Sequence, residues 1–193
     1  MQNEKVRIIK EEILSRNWYY LKKYDYEILK KDGSWQKQTR EVYDRGNGAA
    51  ILLYNTLNKT IILTRQFRLP TFVNGNKEGY LIEACAGLLD QDKPEEAIKR
   101  ETEEETGYRV RDVRKIFEAY MSPGSVSEIL YFFIAEYSSS MKVHEGGGVA
   151  LEQEDIEVIE TGFEQALSMI ETGEIKDAKT IMLLLYLRIH QMI

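Results

Sequence analysis

One helical segment separates two strand-rich parts of this chain. Proline is well tolerated in the first turn of a helix, so Asp92-Lys93-Pro94 predicts its start, and Gly107 predicts its end after Thr106. Apolar β-rich runs precede this helix, and further strands followed by two helices come after it. Because this order is not a regular βαβα alternation, we predict a mixed α+β or sandwich-like fold rather than a doubly wound sheet.

Turn residues divide the part before the helix into hairpins. Asp32-Gly33 is a strong hairpin signal that joins two polar and aromatic strands within 18–45. A second hairpin spans 49–67, and a further strand covers 79–87. The first hairpin has two open interpretations: it extends the main sheet, or it forms a small sheet that docks on a partner subunit. After the helix, strands are predicted at 110–122, 127–138 and 155–162, and helices at 163–173 and 176–193.

The composition restricts the partners and the compartment of the chain. A net charge of −6 without a block of basic residues argues against nucleic-acid binding. The longest apolar run, 181–187, is too short to span a bilayer, and the N-terminus lacks the apolar core of a secretory signal. Cys85 is the single cysteine, which excludes an intrachain disulfide and fits a reducing compartment. We therefore expect a cytoplasmic chain that binds neither nucleic acid nor a membrane.

Four glutamates crowd the end of the predicted helix, within the stretch RETEEETGY at 100–108. Helical residues three and four apart share a face, so the carboxylates of Glu101, Glu104 and Glu105 converge within one turn. Like charges at this spacing destabilise a helix, and its last turn disfavours anions. The residues alone leave two interpretations open, a solvated acidic face or a cluster that a cation neutralises. Ligation by oxygen alone fits a hard ion, Mg²⁺ or Mn²⁺.

The surrounding residues favour the second interpretation. The stretch 87–108, GLLDQDKPEEAIKRETEEETGY, resembles the Nudix box, in which a glycine, a loop acid, Arg-Glu, Glu-Glu and a final glycine recur. Nudix enzymes hydrolyse nucleoside diphosphates linked to another group. The stretch departs from the family pattern at Lys93, where the family usually has a glutamate that supports Arg100. Either Glu95 or Glu96 is a candidate to replace that glutamate.

The resemblance extends over nearly the whole chain. Stretches such as REVYDRGNGAAILLYN, RQFR, YMSPGSVSE and FFIAEY are similar to the ADP-ribose and nucleotide-sugar pyrophosphatase branch of the family, and most of all to its GDP-mannose hydrolases. The resemblance implies a Nudix α/β/α sandwich with a mixed sheet over 46–193. It also implies an N-terminal helix and β-hairpin over 1–45, with an antiparallel sheet exchanged across a homodimer.

The same resemblance assigns the metal site and the catalytic base. The expected ligands of Mg²⁺, which Mn²⁺ can replace, are the backbone carbonyl of Ala86 and the carboxylates of Glu101 and Glu105. Glu104 is expected to bind a second metal ion or to support these ligands. In the loop 146–158, the match favours Glu154 as the base or a further metal ligand, with Glu152 as the alternative. An ordinary acidic surface loop is the competing interpretation.

Substrate contacts are likewise assigned by resemblance, to Trp18, Thr39, Arg40, Glu41, Arg68, Glu128 and Lys179. A guanidinium offers a planar fork for oxyanions, so Arg68 is expected at a phosphate or the ribose. Residues 39–41 are expected to reach the nucleotide across the dimer, and Trp18 to stack on the base. Competing interpretations are a solvated edge arginine for Arg68, a core aromatic for Trp18 and a solvent-exposed lysine for Lys179.

These assignments predict a hydrolase. Its expected reaction is the Mg²⁺-dependent hydrolysis of GDP-mannose to GMP and mannose 1-phosphate, and the rival substrate is ADP-ribose, which gives AMP and ribose 5-phosphate. A pyrophosphate is multiply negative and the chain is acidic, so cations have to neutralise both before water approaches phosphorus. A rival from another class is a Nudix-fold module that binds a nucleotide without hydrolysing it. Glu101, Glu104 and Glu105 favour the enzyme, whereas Lys93 favours the module.

Overall fold

The chain folds into two compact units. The structure is a computed structural model and describes residues 2–149 and 153–193. The first unit, called here the N-terminal unit, runs up to Asn47 and includes 120–129. The second, called the main unit, contains 48–119 and 130–193. Each unit has a sheet of its own, so the first predicted hairpin does not extend the main sheet.

The N-terminal unit is a four-stranded antiparallel sheet in the order β1-β2-β3-β4. Its strands are β1 (Gln2–Asn3), β2 (Val6–Arg16), β3 (Tyr20–Leu29) and β4 (Trp35–Asp44). The hairpin predicted at Asp32-Gly33 is confirmed, since β3 pairs with β4 from Leu29 opposite Trp35. The prediction of a helix in the N-terminal 45 residues is wrong, because β2 pairs with β3 along almost its whole length and takes its backbone partners from that strand.

The main unit is built on a seven-stranded mixed sheet. Its central path is β11-β6-β5-β10-β9, and β7 pairs with β6 while β8 pairs with β5. β5 runs parallel to β10 and antiparallel to β6 and β8. The strands are β5 (Gly48–Asn55), β6 (Thr60–Phe67), β7 (Tyr80–Glu83), β8 (Cys85–Leu88), β9 (Arg114–Tyr120), β10 (Ile129–Glu136) and β11 (Glu157–Gly162).

The segment 79–87, predicted as one strand, is divided in two. β7 and β8 meet at Ala84, whose backbone N–H donates to Thr180 Oγ1 at 2.6 Å. Because Ala84 uses this side-chain partner, β7 continues the sheet beside β6 and β8 continues it beside β5. The contact lies 96 residues away along the chain, so no local pattern indicates it.

Among its described residues, the main unit also contains four α-helices: α1 (Leu69–Val73), α2 (Pro94–Thr106), α3 (Phe163–Thr172) and α4 (Ala178–Ile189). The predicted ends of α2 are confirmed, and its C-terminal residue is followed by Gly107 with φ 77°. The five-residue α1 was not predicted, because it is too short to show helical periodicity. Over the described residues, none of the helices has the length and apolar character needed to cross a lipid bilayer.

Helices cover both faces of the main sheet. Successive residues of a strand point to opposite faces. On one face of β5, Ala49, Ile51 and Leu53 belong to the same buried cluster as Ala97 and Ile98 of α2. The intervening residues of β5 are equally buried, and α4 contacts this strand with its own buried leucines. The predicted α+β fold, an α/β/α sandwich with a mixed sheet, is therefore confirmed.

Candidate active site

Glu105 lies in the last turn of α2 and is almost completely buried. The residue is 2% exposed. Among the described residues, the Glu105 Oε2 is the one buried side-chain oxygen or nitrogen that has no hydrogen-bond partner. Burial raises the pKa of Glu105 to about 8, although a hydrogen bond from Cys85 lowers it, and the charges of Glu101 and Glu154 raise it further. A buried oxygen of this kind is costly unless a partner satisfies it, and a cation would supply that partner.

Glu101 lies one turn earlier and packs directly on the strand before the helix. A Cβ atom on Gly87 would lie 2.1 Å from the Glu101 Cδ, so only glycine lets the carboxylate sit this close to β8. Ala86, the predicted carbonyl ligand, is the neighbouring residue, and Cys85 contacts Glu105. The expected ligands of α2 and β8 are therefore neighbours in the structure.

The donor set of this region fits a hard divalent cation. Carboxylate and carbonyl oxygens are the ligands that Mg²⁺ and Mn²⁺ prefer. Across the described residues, no three histidine, cysteine or acidic side chains are gathered into a complete metal site. A metal ion in this region would therefore draw on the Ala86 carbonyl as well as on the carboxylates of Glu101 and Glu105.

Arg100 forms ion pairs with the glutamates of the acidic face and with the acid before the helix. Its Nη1 lies 3.0 Å from Glu101 Oε1 and 3.1 Å from Glu104 Oε2, and its Nε lies 3.9 Å from Asp92 Oδ2. Such charge-assisted contacts restrict the side chains of both glutamates. Glu104 therefore has a definite place beside the expected ligand Glu101, as its predicted supporting role requires, although its binding of a second metal ion stays a prediction.

Glycines 146–148 bring the loop 146–158 close to the end of α2. Gly147 N donates to the Glu105 carbonyl at 2.9 Å, and Gly148 N donates to the Glu104 carbonyl at 3.1 Å. The last carbonyls of a helix lack partners within it, and these bonds supply them. A Cβ on Gly146 would lie 2.4 Å from the Glu105 carbonyl oxygen, and all three glycines have left-handed φ values of 76°, 112° and 82°. In this conformation the glycines permit close approach to the helix.

The loop brings Glu154 into the same region. Its Oε2 accepts a hydrogen bond from Val149 N at 3.0 Å, and its charge contributes to the raised pKa of Glu105. Gly148 has φ 82°, and an added Cβ would lie 2.7 Å from the Glu154 Cβ, so this position also requires glycine. Glu152, the alternative base, lies outside the described residues.

Arg68 and Lys179 meet at a residue that the sequence did not single out. Glu83, at the end of β7, is 3% exposed and pairs with Arg68 Nε at 2.7 Å and with Lys179 Nζ at 2.5 Å. Lys179 also lies 3.0 Å from Asp177 Oδ1, and the residue is 9% exposed, so its interpretation as a solvent-exposed lysine is wrong. The one available signal for Glu83 was an acidic residue inside the otherwise apolar stretch GYLIEACAG, which the sequence predicts as one strand.

The N-terminal unit carries the remaining candidates. Trp18 is 85% exposed, so its interpretation as a core aromatic is wrong. Thr39 Oγ1 donates to Asp25 Oδ1 at 2.6 Å, and the exposed neighbours of Thr39 in β4 are Arg40 and Glu41. Glu128 also belongs to this unit, where its Oε1 lies 3.6 Å from Arg45 Nε.

Two family models together match most of the sequence. Residues 5–43 match the family described as the GDP-mannose pyrophosphatase NudK N-terminal domain, and residues 44–183 match the NUDIX domain. The second match covers more than half of the chain. The chain belongs to the Nudix family.

Curated Nudix relatives match over nearly their full length. A GDP-mannose pyrophosphatase of Escherichia coli (strain K12) is 58% identical over 185 residues, which cover 96% of each chain. One of Shigella dysenteriae serotype 1 (strain Sd197) is 56% identical over 190 residues, 98% of each chain. A crystal structure of an ADP compounds hydrolase shares the fold, with a TM-score of 0.70 and 21% identity over 97% of this chain and 95% of that one.

The acid that approaches Arg100 of the Nudix box from before the helix differs from both candidates that the sequence offered. Lys93, which occupies the position of the glutamate expected from the Nudix-box resemblance, is the N-terminal cap of α2. The prediction that Glu95 or Glu96 substitutes is wrong, because both pair with Lys99, at 2.7 and 3.8 Å. They are four and three residues before Lys99, the spacing at which helical side chains meet. The acid before the helix that approaches the Nudix arginine is Asp92.

Proposed function

We propose that this Nudix protein hydrolyses GDP-mannose to GMP and mannose 1-phosphate with the help of Mg²⁺. The observation that carries the reaction class is the buried Glu105, whose Oε2 lacks a partner and whose pKa is raised by burial and by the charges of Glu101 and Glu154. The choice of substrate is supported by the GDP-mannose pyrophosphatases that are 56–58% identical over nearly the whole chain.

The residues around Glu105 would hold the metal ion. Carboxylates of Glu101, Glu105 and Glu154 and the Ala86 carbonyl offer the oxygen ligands that Mg²⁺ takes, and Mn²⁺ is a suitable substitute. When bound, the ion supplies positive charge that polarises the phosphoryl oxygens. Retention of all three box glutamates favours an enzyme over a binding module, and in this chain Asp92 approaches the arginine that Lys93 leaves without its usual partner.

The remaining groups bind the diphosphate and move a proton. Arg68 and Lys179 offer N–H donors to its oxygens. A water molecule attacks one phosphorus, the bond from that phosphorus to the bridging oxygen breaks, and the bridging oxygen leaves with the other product. Glu154 accepts the proton of the attacking water at a carboxylate oxygen, with Glu152 as the alternative base. Glu104 supports the ligands through its contact with Arg100.

We also propose a homodimer in which the N-terminal unit contributes Trp18 and residues 39–41 to the substrate site of the other subunit. The outer edge of β2 supports this proposal. On this edge, β1 pairs only with Val6 and Arg7, the first residues of β2. Among the described residues, the rest of the outer edge of β2 has no strand partner. Ile9, Ile13 and Leu14 on this strand are exposed. Long edge strands with exposed apolar side chains usually have a partner. A cytoplasmic location is proposed on the lone buried Cys85.

A substrate panel tests the reaction and its specificity. GDP-mannose, GDP-glucose, ADP-ribose, ADP-glucose and NADH are incubated with Mg²⁺, with Mn²⁺ or with EDTA, and nucleoside monophosphate release is measured. We expect GMP release from GDP-mannose to be fastest by about tenfold or more, and to stop in EDTA. Faster AMP release from ADP-ribose would keep the reaction and change the substrate. Tight binding without turnover would instead identify a binding module.

Subunit complementation tests the shared site. Arg40→Ala removes a contact proposed to cross the dimer, and Glu105→Gln removes a metal ligand of the main unit. Each variant alone is expected to be inactive. A heterodimer of the two has one intact site, so refolding an equal mixture restores roughly a quarter of wild-type turnover if subunits assort at random. An inactive mixture that sediments as a dimer would show that Arg40 acts within its own subunit.

A further inference from the structure

Glu83 is a buried carboxylate shared by two cations. The residue is 3% exposed, and its two oxygens take different partners: Oε2 lies 2.7 Å from Arg68 Nε, and Oε1 lies 2.5 Å from Lys179 Nζ. Burying a charge is costly unless it is paired and hydrogen-bonded, and Glu83 meets both conditions. The position of each cation is therefore tied to the same carboxylate.

The three charged residues come from three elements that are joined by further bonds. Arg68 follows β6, Glu83 ends β7 and Lys179 lies in the first turn of α4. Thr64 Oγ1 of β6 donates to the Glu83 carbonyl at 3.3 Å. Asp177, which caps α4 by accepting from Thr180 N at 2.9 Å, also lies 3.0 Å from Lys179 Nζ. Glu83 therefore has a fixed backbone from which it sets the direction of both cationic side chains.

Arg68 retains donors for a ligand. In the described part of the chain, its guanidinium makes one hydrogen bond, from Nε to Glu83, so the N–H groups of both Nη atoms are left over. The Arg68 side chain is 38% exposed, in contrast to the 4% of Glu83. An arginine held at Nε presents its outer fork, the edge that binds phosphate oxygens in a bidentate way.

We propose that Glu83 is a positioning residue that holds Arg68 and Lys179 together as one anion-binding unit for the diphosphate of the substrate. Glu83 itself does not touch the substrate. This inference rests on the proposed function, because it takes the diphosphate as the group that the two cations bind.

A double-mutant cycle between Glu83 and Arg68 tests the inference. kcat and KM for GDP-mannose are measured for wild type, Glu83→Gln, Arg68→Ala and the double variant, and the affinity for GDP-mannose in EDTA is measured by calorimetry. Loss of orientation is expected to lower kcat/KM by about 10- to 100-fold in Glu83→Gln and to weaken binding. Because Glu83 acts through Arg68 as well as through Lys179, the same substitution in the Arg68→Ala background should lower kcat/KM at least about threefold less than it does in wild type, and the remaining loss passes through Lys179.

A matched control is available one strand away. Arg65 Nη1 pairs with Glu157 Oε2 at 3.2 Å on an exposed part of the surface. Glu157→Gln removes the carboxylate from an arginine as Glu83→Gln does, and we expect kcat/KM within about twofold of wild type. Equal effects of Glu83→Gln with and without Arg68 would overturn the inference, and so would wild-type kinetics in Glu83→Gln.

Two further measurements keep the test decisive. If Glu83→Gln does not fold, a cycle between Arg68→Ala and Lys179→Ala replaces it, and fully multiplicative losses would show that the cations are not one unit. If the wild-type chain neither binds nor hydrolyses GDP-mannose, the proposed function fails. The cycle is then measured by the calorimetric binding of inorganic pyrophosphate, where unchanged affinity in all variants would overturn the positioning role as well.

Discussion

We expect Glu105→Gln to lower kcat by on the order of 10³-fold or more while the protein stays folded, because it removes the charge of a proposed metal ligand without changing the shape of the side chain. The amide cannot supply the negative charge that a divalent cation needs, although it fills the same space in the last turn of α2. Turnover is measured at saturating Mg²⁺, and folding is checked by circular dichroism.

The same substitution changes how stability depends on pH. In the metal-free protein the pKa of Glu105 is raised from 4.5 to about 8, with burial as the largest cause. The unfolded chain releases this proton at the lower pH, so the free energy of unfolding falls as pH rises between the two values, by on the order of 5 kcal/mol. The Glu105→Gln variant has no titrating group at this position, so its free energy of unfolding does not fall for this reason. At pH 8.5 in EDTA we expect the variant to be more stable than wild type, and we expect Mg²⁺ or Mn²⁺ to stabilise wild type only.

Glu103→Gln is the control on the same helix. Glu103 pairs with Arg109 through both carboxylate oxygens at 2.7 Å, away from the candidate metal ligands. We expect its turnover and its response to metal ions to match those of wild type. Wild-type turnover in Glu105→Gln, or an equal loss in Glu103→Gln, would contradict the assignment of Glu105 as a ligand.

Gly107→Ala has the largest expected effect on stability, a loss of about 3 kcal/mol or more. Gly107 has φ 77°, and an added Cβ would lie 2.0 Å from the carbonyl oxygen of His144 and 2.9 Å from Gly146 N. Both are backbone atoms, so no side-chain rotation relieves the contact. The loop that carries Glu154 has to move, and turnover falls as well. Urea unfolding measures the first effect and GMP release the second.

Gly173→Ala separates crowding from backbone conformation. Gly173 follows α3 with φ 78°, nearly the same conformation, but an added Cβ there meets only Lys176 Cε, at 3.3 Å. A flexible lysine can move away, so we expect a loss of about 1 kcal/mol, the cost of the left-handed conformation alone. Equal losses in the two variants would show that the contact with His144 does not matter.

Local signals in the sequence were sufficient for α2 and its acidic face. Pro94 and Gly107 mark the ends of this helix through backbone conformation, and the spacing of Glu101, Glu104 and Glu105 follows from the helical repeat. Both depend on neighbours within a few residues. Resemblance to the Nudix family then added what spacing does not contain, namely the candidate substrate residues on distant elements.

Contacts between distant segments were not predictable in the same way. The division of β7 from β8 depends on Thr180, and the burial of Glu83 depends on Arg68 and Lys179. The acid that approaches Arg100 from outside the helix also depends on competing ion pairs. Lys99 pairs with Glu95 and Glu96 in the first turn of α2, so the acid that approaches Arg100 is Asp92, which precedes the helix. Such choices are made by three-dimensional proximity, which a single sequence records only indirectly.

Cys85 makes the protein convenient for site-specific labelling. It is the sole cysteine of the chain and is 2% exposed, and burial together with the neighbouring Glu105 raises the pKa of its thiol well above the usual value. Maleimide reagents react with accessible thiolates, so the native protein offers them no ready target. A cysteine introduced at exposed position 18 would therefore carry a single fluorophore without prior removal of Cys85, and energy transfer between labelled chains would test the proposed homodimer and report the exchange of its subunits in real time.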